Sequence, residues 1–171
     1  RSQPRADAVT VVVTNPTCIH NKTQDLMELD AHLILLSETS ATLAVQNKEV
    51  FEFKSKGYHT IWGHPMPPQM HGGPRDSMRG AAAGVSLHTR YTCRPSHIPD
   101  ESEWFYSGRF MHAYVQLPKF EIQVCTLYGF PASKAEARGK TNSLLEHAIH
   151  RSRLSTHPTM ICGDLNHHPD K

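Results

Sequence analysis

The residues of this chain best placed to do chemistry are GDLN, 163–166, where a carboxylate and an amide stand one residue apart just behind the apolar run TMIC. Two other apolar runs end in a similar way: VTVVVT, residues 9–14, leads into Asn15, and HLILLS, residues 32–37, leads into Glu38. A buried strand is a rigid platform, and residues just past its C-terminal end project into a crevice. If the three strands neighbour each other, Glu38, Asp164, Asn15 and Asn166 converge on one cleft. That set suits a hard divalent cation such as Mg²⁺, which takes a few carboxylate oxygens, keeps several waters and accepts phosphate oxygens. The second carboxylate can orient or deprotonate an attacking water, and the amides can hold water or phosphate without adding negative charge. Singly, each residue has a plainer reading. Glu38 could be a solvated loop residue or helix cap, and Gly163-Asp164 and Asn15-Pro16 could be turns.

The elements that must position these residues follow from periodicity. The β-branched run 9–14 and the apolar run 32–38 read as strands, the second buried on both faces. Between them, residues 21–30 read as a short helix with Asn21 or Thr23 as its cap and Leu26, Met27 and Leu29 on its apolar side. Leu43, Val50 and Phe51 recur at helical spacing from 43 to 56, and Gly57 is a natural stop. Residues 58–62 read as a strand, and the Pro- and Gly-broken stretch 64–80 as a loop. AAGVSLHTR, residues 82–90, reads as a strand, followed by a polar connection over 91–102. Residues 104–117 and 120–130 form a hairpin about a tight Pro118-Lys119 turn. Residues 133–155 carry Leu144, Leu145, Ala148 and Ile149 on one helical face, and 159–162 is the last strand. Crossovers mixed with hairpins predict an α/β fold with mixed sheets.

The bulk numbers agree with one globular domain. The chain has 171 residues, 38% hydrophobic and 20% charged, with a net charge of +2. That charge permits an anionic partner without demanding one. No run approaches the roughly 18 apolar residues of a membrane span. The first residue is Arg1, with no signal-peptide pattern behind it, which reads as a fragment of a longer chain. Cys18, Cys93, Cys125 and Cys162 form no CxxC pair and read as reduced structural thiols, which favours an intracellular location.

The order of the pieces adds more. A strand ends in Asn15, LILLSET carries Glu38, and GVSLHTR follows. Gly108-Arg109 opens a long strand, TLYGFP carries Tyr128, and GDLN carries Asp164 and Asn166. This succession, along nearly the whole chain, resembles the endonuclease/exonuclease/phosphatase (deoxyribonuclease I-like) superfamily, most of all its LINE-type retrotransposon endonuclease domains. The resemblance implies a four-layer α/β/β/α sandwich of two mixed sheets. It implies Mg²⁺-dependent phosphodiester hydrolysis, with Mn²⁺ as a substitute, by a DNA endonuclease of a retroelement-like protein that works inside the cell, in the nucleus, on nucleic acid and not at a membrane. Glu38 would then be the principal metal ligand, and Asp164 would align and activate the attacking water. Asn166 and Asn15 would hold water or phosphate, and Tyr128 would place its hydroxyl near the scissile phosphate. A phosphatase or phospholipase of the same superfamily, or a non-catalytic truncated copy serving as a binding module, are the alternatives.

Three departures stand against the family pattern. Ser37 occupies the usual place of Gln before the Glu, and Thr17 the place where some members carry Asp. The family's later Ser-Asp-His-like segment does not follow GDLN. The expectation is therefore a domain over 1–171 that is incomplete at its C-terminus, impaired in activity, and open to self-association through an unpaired strand edge. Other candidates read as bland. His167 and His168 belong to the wrong strand to supply the family's histidine, and His20, His64 and His71 lack metal-site spacing. Tyr58 and Trp62 read as core, and Arg75 and Arg79 as a solvated loop, ahead of stacking and phosphate contacts.

Overall fold

Alternation of side chains decides how the layers form. The computed structural model of the chain describes residues 8–67, 84–131 and 136–166. Strand β2 (Leu33–Ser37) is buried at every position. Leu33 and Leu35 face one cluster, and Ile34 and Leu36 face another, because successive strand side chains leave opposite faces. β1 (Val11–Thr14) pairs parallel with β2, while β4 (Val85–Thr89) pairs antiparallel with β2 and with β3 (His59–Trp62), in the order β1-β2-β4-β3. The second sheet runs β5 (Cys93–Pro95), β6 (Phe110–Gln116), β7 (Glu121–Tyr128) and β8 (Thr159–Asp164). Its β7–β8 pair is parallel and its other pairs are antiparallel.

The sheets pack face to face through Leu33, Leu35, Val85 and Leu87 on one side and Met111, Ala113, Val115 and Val124 on the other. Helices α1 (Thr23–Glu28) and α2 (Leu43–Ser55) cover the outer face of the first sheet, where Leu26 and Phe53 meet Ile34 and Leu36. Helix α4 (Ala137–Arg153) covers the second, with Leu144 and Ala148 against Phe110, Cys125 and Leu127. The expected α/β/β/α layering is observed. Each fully buried leucine in these interfaces contributes about 1.5–3 kcal/mol through burial. No described helix is long and apolar enough to cross a membrane.

Most boundaries fall where periodicity placed them, and three features do not. The stretch 104–117 begins as helix α3 (Glu103–Tyr106) before turning into β6, because Ser102 caps it by accepting the Phe105 N–H and Gly108, at φ +68°, lets the chain turn out. Trp104, Phe105 and Tyr106 have strand-like propensity, and the cap overrides it. The polar connection contains β5, held to the sheet edge by the 2.6 Å Arg94–Glu121 ion pair and by Arg94 lying 4.2 Å from the Tyr114 ring. At α1 neither Asn21 nor Thr23 caps: Lys22 holds that position with no capping bond from its side chain, which donates to Pro16 C=O, and the Thr23 hydroxyl donates to buried Glu49 of α2. The Pro118-Lys119 turn is closed by Leu117 N–H to Phe120 C=O at 2.9 Å, and Gly57 ends α2 at φ +82°. The stretch 64–80 lies outside the described residues from 68 onward.

Two histidines are built into this packing. His88 is fully buried, stacked 3.7 Å from Phe53 and bonded to the Ser86 hydroxyl at 2.8 Å, and burial pushes its imidazole down to about 3. His112 is pushed down to about 4, first by burial and then by the Arg151 guanidinium. Both folded values lie below the ordinary 6.5, so the unfolded chain takes up more protons between them. Stability from these groups is therefore complete above about pH 6.5 and lost as pH falls toward 4 and 3. Urea unfolding from pH 7.5 to 4.5 should show a decline approaching about 1.4 kcal/mol per pH unit for each histidine. His88→Gln should flatten part of that slope, and an unchanged slope would contradict this account.

Candidate active site

The three apolar runs do not all neighbour each other, as the sequence reading required. β1 and β2 are adjacent, which brings Asn15 beside Glu38, but β8 belongs to the other sheet. Asp164 reaches the same place across the sandwich, because parallel pairing with β7 sets it opposite Tyr128 at the end of both strands.

The Asn15 side chain joins the two sheets. Its Nδ2 donates to Glu38 Oε2 and to Asp164 Oδ2, each at 2.8 Å, and its Oδ1 accepts the Thr17 N–H at 2.8 Å. Every polar atom of the amide is thus used, and its orientation is defined. The Tyr128 phenol lies beside the side chains of Glu38 and Asn166. Asn166 gives its backbone N–H to Asp164 Oδ1 at 2.8 Å and its Nδ2 to Gly129 C=O at 3.0 Å. All five residues singled out in the sequence meet here: Asn15, Glu38, Asp164 and Asn166 form one hydrogen-bonded group, and the Tyr128 phenol stands beside it.

Backbone strain gathers here too. Glu38 and Asn166 sit in the left-handed region at φ +58° and +50°. For Glu, with no local side-chain bond to offset the Cβ clash, that conformation costs on the order of 1 kcal/mol and is held by its surroundings. Gly163, at φ +152°, passes so close to β7 that a Cβ would lie 1.8 Å from Leu127 C=O. Only glycine admits that approach, which explains the residue before Asp164 in chemical terms.

Sequence reasoning missed two residues that build the site. Ser37, noted only as a departure, donates its hydroxyl to Leu127 C=O at 3.1 Å and accepts the Asp164 N–H at 3.2 Å, bracketing β2 to β7 and β8 of the opposite sheet. Its position inside an all-apolar strand is the signal that could have found it. Arg109, read only as part of a Gly-Arg pair, is 4% exposed and donates to the Tyr128 and Gly129 carbonyls at 3.2 and 2.8 Å. Burial lowers its pKa, and the Tyr128 and Glu38 groups raise it again. Burial also pushes the Tyr128 phenol up, with the Glu38 charge acting in the same direction, so it is a neutral donor at pH 7.

Among the described residues, no group of three or more His, Cys, Asp or Glu side chains could enclose an ion. Glu38 and Asp164 are a two-carboxylate set, which fits a largely hydrated Mg²⁺ or Mn²⁺ and not a closed zinc site. His20 is exposed, and His64 packs on Phe105 and Tyr106. His71, Arg75, Arg79, His167 and His168 lie outside the described residues. Tyr58 is core, with its hydroxyl on Ala31 C=O, and Trp62 packs against the same cluster. The four cysteines are free thiols.

No protein-family model and no curated protein sequence matches the chain. Its fold does match solved structures. An AP endonuclease from Archaeoglobus fulgidus aligns with TM-score 0.65 and 17% identity over 95% of this chain and 59% of its own. A 3′-5′ exonuclease from Neisseria meningitidis aligns with TM-score 0.63 and 15% identity over 94% and 59%. The human Nocturnin catalytic domain with bound sulfate aligns with TM-score 0.59 and 14% identity over 95% and 65%. The chain therefore spans about three fifths of the length of these structures, and what it shares with them is the deoxyribonuclease I-like fold.

Ser37→Ala leaves the Asp164 N–H without its partner at a cross-sheet contact. It should cost about 1–3 kcal/mol in urea unfolding. Gly163→Ala should cost more, because backbone and not a mobile side chain occupies the space. A Gly163→Ala protein as stable as the parent would overturn the close approach described for β8.

Proposed function

We propose that this end of the sandwich is the active site of a metal-dependent phosphodiesterase acting on nucleic acid, in the first place a DNA endonuclease. The observation that carries the reading is the single Asn15 amide held between the Glu38 and Asp164 carboxylates. Two negative groups kept this close, with hydrogen-bond donors around them, suit a dication and a phosphate better than any structural purpose. The likeness of fold to an AP endonuclease and a 3′-5′ exonuclease agrees with it. The retroelement assignment rests on the sequence resemblance alone.

In this reading Glu38 is the principal ligand of Mg²⁺, which when bound neutralises charge on the phosphoryl oxygens. Asp164 accepts the proton of the attacking water, held by the Asn166 N–H at its other oxygen. Asn15 keeps the two carboxylates together and turns them toward the same cleft. The Tyr128 phenol donates to a phosphate oxygen, and Arg109 anchors the backbone that carries it. β8 is the outer strand of its sheet among the described residues, and its edge is where a second chain would pair.

Plasmid DNA incubated with the purified chain and Mg²⁺ or Mn²⁺ tests this. Nicking should vanish with EDTA and with Glu38→Gln, and Asp164→Asn should slow it by about 10²–10⁴-fold, the usual worth of a positioned base. Equal nicking by both variants would overturn the site. Preference for a phosphomonoester or a phospholipid would move the substrate to the alternative class. Folded protein that binds DNA but cuts nothing would make it a binding module.

A further inference from the structure

We infer that β1 and β8 together form a face that takes a second copy of this chain, strand beside strand. The result is two continuous sheets of eight strands, four from each copy, and it stands apart from the reaction proposed above. Both strands are outer members of their sheets on the same side of the sandwich, where they lie against each other. Among the described residues, neither has a partner on its free edge. The apolar layer between the sheets is open on that side. Val11 and Val13 stand opposite Leu33 and Leu35 and so face that layer, yet they are 38% and 44% exposed. Met160 and Cys162 line it from β8 and are half-buried.

Whatever covers this face must satisfy backbone as well as side chains. Thr10 C=O accepts the Leu33 N–H, so the alternate residues Val11 and Val13 turn their backbone groups away from β2. On β8, Pro158 and Asp164 give their carbonyls to the N–H groups of Gln123 and Gly129. The alternate residues Thr159, Ile161 and Gly163 therefore turn outward. A helix or a lipid cannot pair with two such rows of N–H and C=O, and a pair of strands can. Sheet edges that stay free are blunted by charge or proline. The β5 edge is, with Arg94 and Pro95, whereas the runs VVVT and TMICG carry neither.

A second copy supplies both strands at once. A twofold axis perpendicular to the sheets sets each edge strand antiparallel to its own copy. With the axis beside Val12, the outward groups of Val11 and Val13 meet those of Val13 and Val11 of the second copy. With the axis beside Ile161, Thr159 and Gly163 meet their counterparts in the same way. One axis must serve both strands, so Val12 and Ile161 have to stand at matching heights. They do, because Asn15 and Asp164, each three residues further along, are joined by a 2.8 Å hydrogen bond. The valines of both copies then close the layer between the sheets, and the two sites lie at opposite ends of the assembly.

Sedimentation velocity of the purified chain over a range of micromolar concentrations tests this. The expected mass is twice that of one chain, falling to one chain on dilution. The double variants Val11→Lys with Val13→Lys, and Val11→Glu with Val13→Glu, set like charges opposite each other across the axis. Each should be monomeric while unfolding as cooperatively as the parent, and an equimolar mixture of the two should regain the dimer. Position 12 lies opposite itself, where facing Cα atoms stand about 4.5 Å apart. Val12→Cys should therefore cross-link to a dimer with oxidised glutathione, where the parent, with its own four free cysteines, does not. A monomer at every concentration, a dimer kept by either double variant, or no cross-link through position 12 would each overturn the inference. Amides of β1 and β8 that stay protected from hydrogen exchange in the monomer would do so too, because the edges would then be covered from within the chain.

Discussion

Holding two carboxylates side by side is the constraint around which this molecule is arranged. Glu38 and Asp164 come from different sheets, separated by 125 intervening residues, and two carboxylates held this close repel each other when both are charged. The Asn15 amide lies between them with one N–H to each. Its dipole offsets part of the repulsion without adding a charge, as a Lys or Arg in the same place would. The sandwich must therefore bring three strand ends together, and it does so through apolar packing a few residues away.

That packing explains why the polar group can be so concentrated. Leu33 and Leu35 on β2 face Ala113, Val115 and Val124 across the sheets, and Ser37 is the next inward-facing position along the same strand. One step along the pleat converts an apolar contact into a hydrogen-bonded bracket. A larger side chain at 37 could not give one bond to Leu127 and take another from Asp164 in the same gap. Gly163 makes the same point from the opposite sheet, since β8 can lie this close to Leu127 only where no Cβ intervenes.

Polar groups elsewhere in the fold serve the same end. The Asp100–His147 contact and the Arg151 bonds to the Ile98 and Pro99 carbonyls tie the 96–102 loop to α4. That loop leads directly into α3 and Arg109, so a helix on the outer face of one sheet helps set the backbone that presents Tyr128. Burial of His88 and His112 lowers their pKa values and makes acid the condition under which stability is lost.

Much of this was determined by the sequence alone. The runs 9–14, 32–38 and 82–90 read as strands, because their β-branched and apolar residues come in stretches of strand length; that β2 and β4 are fully buried while β1 leaves Val11 and Val13 exposed was set by the packing. Asn15, Glu38, Asp164 and Asn166 were legible because each follows such a run, and Tyr128 through the order of the motifs. Tertiary structure decided the rest. Nothing in the spacing shows that β8 belongs to the second sheet, since strand partnership depends on packing between segments far apart in the chain. The helix at Glu103–Tyr106 depends on one Ser102 cap that local propensity does not reveal. Ser37 and Arg109 became site-building residues only once carbonyls from β7 and the turn after it were brought within hydrogen-bond reach. Propensity and pattern are local, whereas a bracket between two sheets exists only after both have formed.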